Sequence, residues 1–451
     1  MGLGLLGRGV GDIRFLAEQG ARLIVTDLKS KEVLTSSLAQ LSNVAKNIEF
    51  ILGEHRLQDF RNRDFILKAA GVPLDSPYII EARRHHIPIE MSTALFAAYT
   101  PAALVGITGT RGKSTVTHLL YEIFVQYLSE KRKKNGSNDR VFLGGNVRGI
   151  STLPLLVETN QSDIAVLELD SWQLQGFAER QLSPQLAVFT TFLPDHLNYY
   201  KNDLGAYFAD KATIFRYQKP SDICVIGSQV AMNPHFQEYL KTIGRPLASK
   251  VIIADQTELP NDWHLQLKGK HNHYNVGVAL AAARASGIPD IVSRAAIESF
   301  MGVPGRLELL TTVQGVSFYN DTTATTPDAT VAALKALQDA GNSIILIMGG
   351  ADKQLDMDQL ISLLPDVVKM LVLLPGSGTA RILPQLRELN VPIVEAVSMA
   401  NALTVAISSS QLGDAILLSP AFASFGLFAN EFDRGDQFSR AVLEYIHSHH
   451  D

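Results

Sequence analysis

The sequence predicts an α/β protein in which mostly parallel sheets are covered by helices. Short apolar runs alternate with segments of helical period along the whole chain. Most of those runs stop at glycine, serine or proline, the small-residue loops where such folds place ligands. Two glycine-rich turns also precede helical patterns, an arrangement suited to phosphate.

The first segment, residues 1–98, opens with Gly2-Leu3-Gly4-Leu5-Leu6-Gly7. A helical pattern follows at Val10, Ile13, Leu16 and Ala17, then a strand, Leu23-Ile24-Val25, that ends at Asp27. G-x-G-x-x-G with an acid about twenty residues on is a dinucleotide-binding fingerprint, so a Rossmann-like domain is expected, with Gly4 and Asp27 as ligand contacts. The strand that should feed the first glycine is expected to be missing, because the pattern begins at the turn itself.

The middle segment, 99–302, carries the most informative stretch, Val105-Gly106-Ile107-Thr108-Gly109-Thr110-Arg111-Gly112-Lys113-Ser114-Thr115. An apolar run enters it and a helical pattern through His118, Leu119, Leu120 and Ile123 leaves it. Backbone N–H groups of Gly109 to Thr115 can cradle an anion, Lys113 can neutralise it, and the Ser114 hydroxyl can hold Mg²⁺. The loop is a variant: the first glycine of G-x-x-x-x-G-K-[ST] falls at Ile107, between Gly106 and Gly109. Strand-like runs at Ile164–Leu169, Leu186–Thr190 and Cys224–Ile226 complete a central P-loop-type mononucleotide-binding domain with a parallel sheet. The last segment, 303–451, repeats the style at Ser343–Met348, Met370–Leu374 and Ala415–Leu418, and predicts a second Rossmann-like domain.

Hydrophobic residues make up 46% and charged residues 19% of the 451, which describes a globular enzyme and not a disordered chain. A net charge of −5 argues against a nucleic-acid partner. The basic cluster Lys131-Arg132-Lys133-Lys134 is expected to be a solvated loop, and His447-Ser448-His449-His450 a frayed tail without metal. The single Cys224 excludes an intrachain disulfide framework and fits a cytoplasmic location. No apolar run is long enough to span a membrane.

Several residues are placed to carry chemistry. Glu168 ends an apolar strand and reads as a Mg²⁺ ligand or a surface acid. His196, after Asp195, is a loop histidine or a ligand. Lys211 lies at helical spacing in Tyr207–Phe215 and, by pattern alone, is a solvent-facing lysine. Asn272 and Asn275 either read a nucleobase edge or cap a helix. Arg306 suits a phosphate clamp on a hinge, and Asp321 a helix cap or a nucleotide contact.

Taken together with Gly144-Gly145-Asn146, Leu167-Glu168-Leu169-Asp170-Ser171-Trp172-Gln173-Leu174, Asp195-His196-Leu197, Gly305-Arg306, Asn320-Asp321, Gly349-Gly350 with Lys353, and Leu418-Ser419-Pro420-Ala421 with Ser424, these motifs resemble the Mur ligases. The resemblance runs in order over nearly the whole chain. It implies an ATP-driven ligase of peptidoglycan precursor synthesis, in which the alanine carboxylate of UDP-N-acetylmuramoyl-L-alanine becomes an acyl phosphate that D-glutamate displaces. It implies that Ser114 and Glu168 hold one Mg²⁺, and that His196 and a carbamylated Lys211 hold a second. Asn272, Asn275, Arg306 and Asp321 would hold ATP. Asn146, Ser171 and Gln173 would face the UDP-muramoyl substrate, and Thr325, Lys353 and Ser424 the glutamate. The opening glycine loop would hold the uridine diphosphate, with Asp27 near the uracil. The partners implied are these small molecules, and a monomer is expected. Closure of the last segment would pivot near Gly302–Gly305.

The sequence departs from the family pattern at three places. Thr323 replaces a lysine that helps hold glutamate, Glu431 stands where an aromatic is usual, and Asp170 replaces a serine. An L-glutamate-adding relative or a polyglutamate-type ligase is therefore the alternative. An NAD-dependent oxidoreductase leaves the phosphate loop unexplained, and a non-catalytic regulator leaves Lys113, Glu168, His196 and Lys211 unexplained.

Overall fold

The structure is a computed structural model that describes every residue except Leu5, Leu6, Arg245, Lys268 and His449–Asp451. His449 and His450 of the expected tail therefore lie outside the described residues, as do two positions of the opening glycine loop. Compactness divides the chain into two units. The first holds Met1–Trp263 and Tyr274–Ile297, the second His264–His273 and Glu298–Asp451.

In the first unit, the N-terminal region has two small parallel sheets. One pairs β1 (Leu23–Asp27) with β2 (Ile48–Leu52), and the other pairs β3 (Ile66–Leu67) with β4 (Ile89–Glu90). Met1 and Gly2 run between them: Gly2 N donates to Thr26 O at 2.8 Å, the Met1 amino group to Leu67 O at 2.9 Å, and Ala69 N to Met1 O at 2.9 Å. Met1 and Gly2 thus make main-chain hydrogen bonds toward both sheets. The helix Arg8–Glu18 follows, burying Val10, Ile13 and Ala17.

The central region is one six-stranded sheet of β5 (Ala103–Thr108), β6 (Val141–Gly145), β7 (Ile164–Glu168), β8 (Leu186–Phe189), β9 (Ile223–Gly227) and β10 (Lys250–Ala254). Its spatial order is β10-β9-β8-β5-β7-β6, and every pairing is parallel. The middle strands β5, β7 and β8 are buried and near-continuously apolar, as strands covered on both faces must be. Consecutive strands on either side of β5 open a crevice at its carboxyl end, where α/β sheets bind ligands. The helix Lys113–Asn135 starts there and ends at Gly136, whose φ of 71° makes the left-handed cap. Lys131–Lys134 therefore form the last turn of a helix, which corrects the expected loop. Their charge suits the negative end of the helix dipole, and Lys131 Nζ meets Asp139 Oδ2 at 2.6 Å.

The second unit has its own six-stranded sheet of β11 (Glu308–Val313), β12 (Val316–Asn320), β13 (Ser343–Met348), β14 (Val368–Leu373), β15 (Ile393–Glu395) and β16 (Asp414–Leu418). The order is β11-β12-β16-β13-β14-β15, with only β11 antiparallel. Apolar clusters cover both faces, one around Leu346, Leu371 and Leu417, the other around Ile345, Val372 and Phe438. Burying each such side chain contributes about 2 kcal/mol, so the sheet is a rigid base for the loops at its strand ends.

Candidate active site

The first unit builds a phosphate loop between β5 and the helix Lys113–Asn135. Two glycines make the turn possible. A Cβ at Gly109 would sit 2.0 Å from Thr190 Oγ1, and one at Gly112, where φ is 82°, would sit 2.3 Å from Asn275 Oδ1. The segment after β8 braces the loop from outside. Thr110 N donates to Thr191 O at 2.7 Å, Arg111 N to Thr191 Oγ1 at 2.9 Å, and Thr190 Oγ1 to Arg111 O at 2.6 Å. Arg111 Nη1 also meets Asp195 Oδ2 at 2.9 Å. The sequence reading passed over Thr190, Thr191 and Arg111; two consecutive threonines at a strand end were the available signal.

Two amines converge inside this loop. Lys113 Nζ donates to Gly109 O at 2.9 Å and to Thr110 O at 3.2 Å. Lys211 Nζ donates to the same Gly109 O at 2.9 Å and lies 4.9 Å from the centre of the Tyr207 ring. Lys211 is 1% exposed, on the buried face of the helix Leu204–Arg216, so the solvent-facing reading is corrected. Burial, with the Lys113 charge beside it, holds its amine well below the usual lysine value. A neutral amine is the nucleophilic form and the form that can take up CO₂.

Around them stand the other candidates. Ser114 and Thr115 are buried in the first turn of their helix. Glu168, at the end of β7, is 3% exposed and accepts from Asn146 Nδ2 at 3.2 Å through Oε1. His196 has φ of 53°, and its ring packs 4.7 Å from Trp172. Burial, reinforced by Lys211 and Lys113, pulls its imidazole below the usual value, which favours the neutral ligating form. Among the described residues no three His, Cys, Asp or Glu side chains gather into a metal cluster. One carboxylate, one hydroxyl and one imidazole beside a phosphate cradle still suit Mg²⁺, which is commonly held by one or two carboxylates plus substrate phosphates.

Other residues are already engaged. Gln173 is 4% exposed; its Oε1 accepts from Asp170 N at 3.2 Å and its Nε2 donates to Thr93 Oγ1 at 3.1 Å. Asp170 in turn accepts from Gln173 N at 2.7 Å, a capping box that starts the helix Ser171–Glu179. Gln173, an expected substrate contact, is thus engaged in a helix cap here, and Asp170 caps in place of serine. Ser171 is buried beside it. Asp27 accepts from Gly4 N at 3.0 Å and from Lys29 N at 2.9 Å, so its carboxylate closes the opening glycine loop.

The second unit gathers a separate set. Asp321 accepts from Ser419 Oγ at 2.8 Å and from Leu307 N at 2.9 Å, next to Arg306, which is exposed. Burial pushes its carboxyl up to about 7. The native unit therefore holds a proton that the unfolded chain releases near pH 4. Its stability is expected to fall as pH rises from about 4 to about 7 and then level off, whereas Asp321→Asn flattens that slope. Denaturant unfolding without nucleotide at pH 5 and pH 8 checks it, and equal slopes for both proteins would refute it. Lys353 Nζ donates to Thr325 Oγ1 at 2.9 Å, and the Ala351–Ala423 bridge brings buried Ser424 to the same strand ends. Thr323 Oγ1 donates to Gly305 O at 2.9 Å. Asn272, in the second unit, and Asn275, in the first, lie in the opening turns of the helix Lys270–Ala285, and both are buried.

Sequence reading also missed Arg434. It is wholly buried, donating to Thr322 O at 2.8 Å, to Thr322 Oγ1 at 3.2 Å and to Phe422 O at 3.2 Å. Burial brings its guanidinium down to about 10.

Fold and site together define a nucleotide-phosphate-binding α/β protein with a second α/β unit of its own. The chain matches the family models for a Mur ligase MurD-like N-terminal domain over residues 1–90, the Mur ligase middle domain over 107–283, and the Mur ligase glutamate ligase domain over 305–422. It is 36% identical to the UDP-N-acetylmuramoylalanine–D-glutamate ligase of Roseiflexus sp. (strain RS-1), covering 99% of this chain and 98% of that protein. It is 35% identical to the enzyme of the same name from Borreliella burgdorferi (strain ZS7), over 98% and 96%. The chain belongs to the Mur ligase family. Its fold is similar to that of UDP-N-acetylmuramate-alanine ligase from Thermotoga maritima, with a TM-score of 0.63 at 18% identity over 99% and 98% of the two chains. It is also similar to E. coli FolC in complex with DHPP and ADP, with a TM-score of 0.58 at 17% identity over 88% and 97%. No helix among the described residues is long and apolar enough to cross a membrane.

Proposed function

We propose that this protein is an ATP-dependent ligase that adds D-glutamate to UDP-N-acetylmuramoyl-L-alanine. The observation that carries the reading is the pair of amines, Lys113 and Lys211, drawn to one carbonyl oxygen inside a glycine cradle. Lys113 in that cradle supplies positive charge that complements the phosphates of a nucleotide triphosphate. The names of the full-length relatives give the substrates.

In this reading Gly109–Thr115 bind the phosphates through backbone N–H groups, and Lys113 neutralises the γ-phosphate. The alanine carboxylate attacks that phosphorus, ADP leaves, and an acyl phosphate forms. The glutamate amine then attacks the acyl carbon, the C–O bond breaks, and phosphate departs as the nitrogen loses a proton. Bound Mg²⁺ would screen the anions that must meet and polarise the γ-phosphate. Ser114 and Glu168 would hold one Mg²⁺, and His196 a second. Lys211 would join His196 if its neutral amine adds to CO₂, giving a carbamate and a proton, which turns an amine into an oxygen ligand. Thr325, Lys353 and Ser424 hold the carboxylates of glutamate, and Asn275, Asn272, Arg306 and Asp321 hold the nucleotide. A monomer in the cytoplasm suffices for this chemistry.

A second reading, addition of L-glutamate, is favoured by Thr323, whose hydroxyl is bonded to Gly305 O where the family places a lysine. Phosphate release from ATP with UDP-N-acetylmuramoyl-L-alanine tests both. Release with D-glutamate alone supports the first reading and release with L-glutamate alone the second; release with neither refutes both.

A further inference from the structure

We propose that Arg8 is a positioning residue that couples the opening glycine loop to Glu168 through Asn146. The inference rests on the ligase reading above and extends it to how one substrate prepares the site for another.

Arg8 is the first residue of the helix Arg8–Glu18, directly after Gly7. Its Nη1 donates to Asn146 Oδ1 at 2.8 Å. With its oxygen held by a cation, the Asn146 amide can turn only its NH₂ end elsewhere, and Nδ2 donates to Glu168 Oε1 at 3.2 Å. Asn146 N also donates to Glu168 O at 2.7 Å, so the backbone of the pair is fixed and the amide is the movable part. One turn further on, the same helix face clasps the same loop. Ser151 Oγ donates to Asp12 Oδ1 at 2.6 Å, and a Cβ at Gly11 would lie 2.5 Å from Ser151 Cβ. Arg8, Gly11 and Asp12 have the i, i+3, i+4 spacing of one face. The helix is therefore seated, and the guanidinium is the free end of the clasp.

A phosphate oxygen is a far stronger acceptor for a guanidinium than a neutral amide oxygen. A diphosphate at the glycine loop before Arg8 draws the guanidinium off Asn146. The amide is then free to turn to the sugar-linked substrate, and Glu168 loses the donor on Oε1. A carboxylate relieved of that hydrogen bond binds a divalent cation more tightly. By linkage, the cation strengthens diphosphate binding by the same factor.

Mn²⁺ binding followed by electron paramagnetic resonance tests this on the full chain, saturated with a non-hydrolysable ATP analogue. Titrations are run with and without UDP-N-acetylmuramoyl-L-alanine, whose own binding is first measured by calorimetry. In the unsubstituted protein the UDP ligand is expected to tighten Mn²⁺ about tenfold, within the usual range of coupling. In Asn146→Ala, which removes the donor on Glu168 Oε1, Mn²⁺ is expected to bind tightly from the start, and in both Asn146→Ala and Arg8→Leu the UDP ligand is expected to change it by less than about twofold. Coupling of normal size in Arg8→Leu, or none in the unsubstituted protein, overturns the proposal while leaving the ligase reading intact. Failure of the UDP ligand to bind the unsubstituted protein overturns both.

Discussion

Lys211→Ala is expected to lower phosphate release by about 10³-fold, the scale on which removing one fixed electrostatic group acts. The residue is 1% exposed and its amine shares Gly109 O with Lys113. In the proposed reading alanine would remove the carbamate that holds a cation, and it also removes the amine that donates to Gly109 O. The phosphate loop itself should persist, because Thr190 and Thr191 brace it independently of Lys211. Short carboxylates such as formate or acetate are expected to restore part of the rate in Lys211→Ala, since they can place an oxygen where the proposed carbamate would stand. They should not help Lys211→Met, whose side chain fills the space. Steady-state phosphate release measures all three. Activity of Lys211→Ala within about threefold of the unsubstituted protein would sink the role, given the loss that such a group supplies.

Arg434→Met is expected to loosen the loops of the second unit that carry Thr325 and Ser424. Arg434 is enclosed, and it is the shared donor for Thr322 O and Phe422 O. Those carbonyls belong to the two segments that carry Thr325 and Ser424. Methionine fills much of the volume but leaves buried carbonyls unsatisfied, at a cost of about 1–3 kcal/mol for each group. Hydrogen exchange resolved to peptides should show protection over residues 319–326 and 419–424 falling about 100-fold, the equivalent of roughly 2.7 kcal/mol. Peptides of the helix Lys113–Asn135, in the other unit, should be unchanged. Protection equal to that of the unsubstituted protein would show that the arginine braces nothing.

The strands legible in the sequence are those buried on both faces. Residues 164–167, 186–189, 344–348 and 415–418 form unbroken apolar runs because no water-facing side interrupts them. β2, β10 and β11 were not legible, since each is partly exposed and mixes polar with apolar residues. The phosphate loop was readable because glycine spacing and Lys-Ser-Thr report backbone geometry directly. Lys211 was not read from pattern alone, although the signal was present. Tyr207, Phe208, Lys211, Ala212 and Phe215 lie on one face of a helix, and all are buried, so helical spacing assigns the lysine to the interior. At Gln173 the motif did not show that the amide closes a helix cap. Arg8 and Arg434 carried no local signal, because their partners lie 138 and 112 residues away.

Gly11 and Ser151 amount to a single steric position divided between two places in the chain. A methyl group on one and the existing Cβ of the other would claim the same space. Gly11→Ala alone should pry the helix from its loop, whereas Gly11→Ala with Ser151→Gly should largely reseat it, a compensation visible only when both changes are made together. Substitutions at these two sites would then be inherited as a pair, and a protein engineer grafting the N-terminal region of one relative onto the body of another would have to move them together.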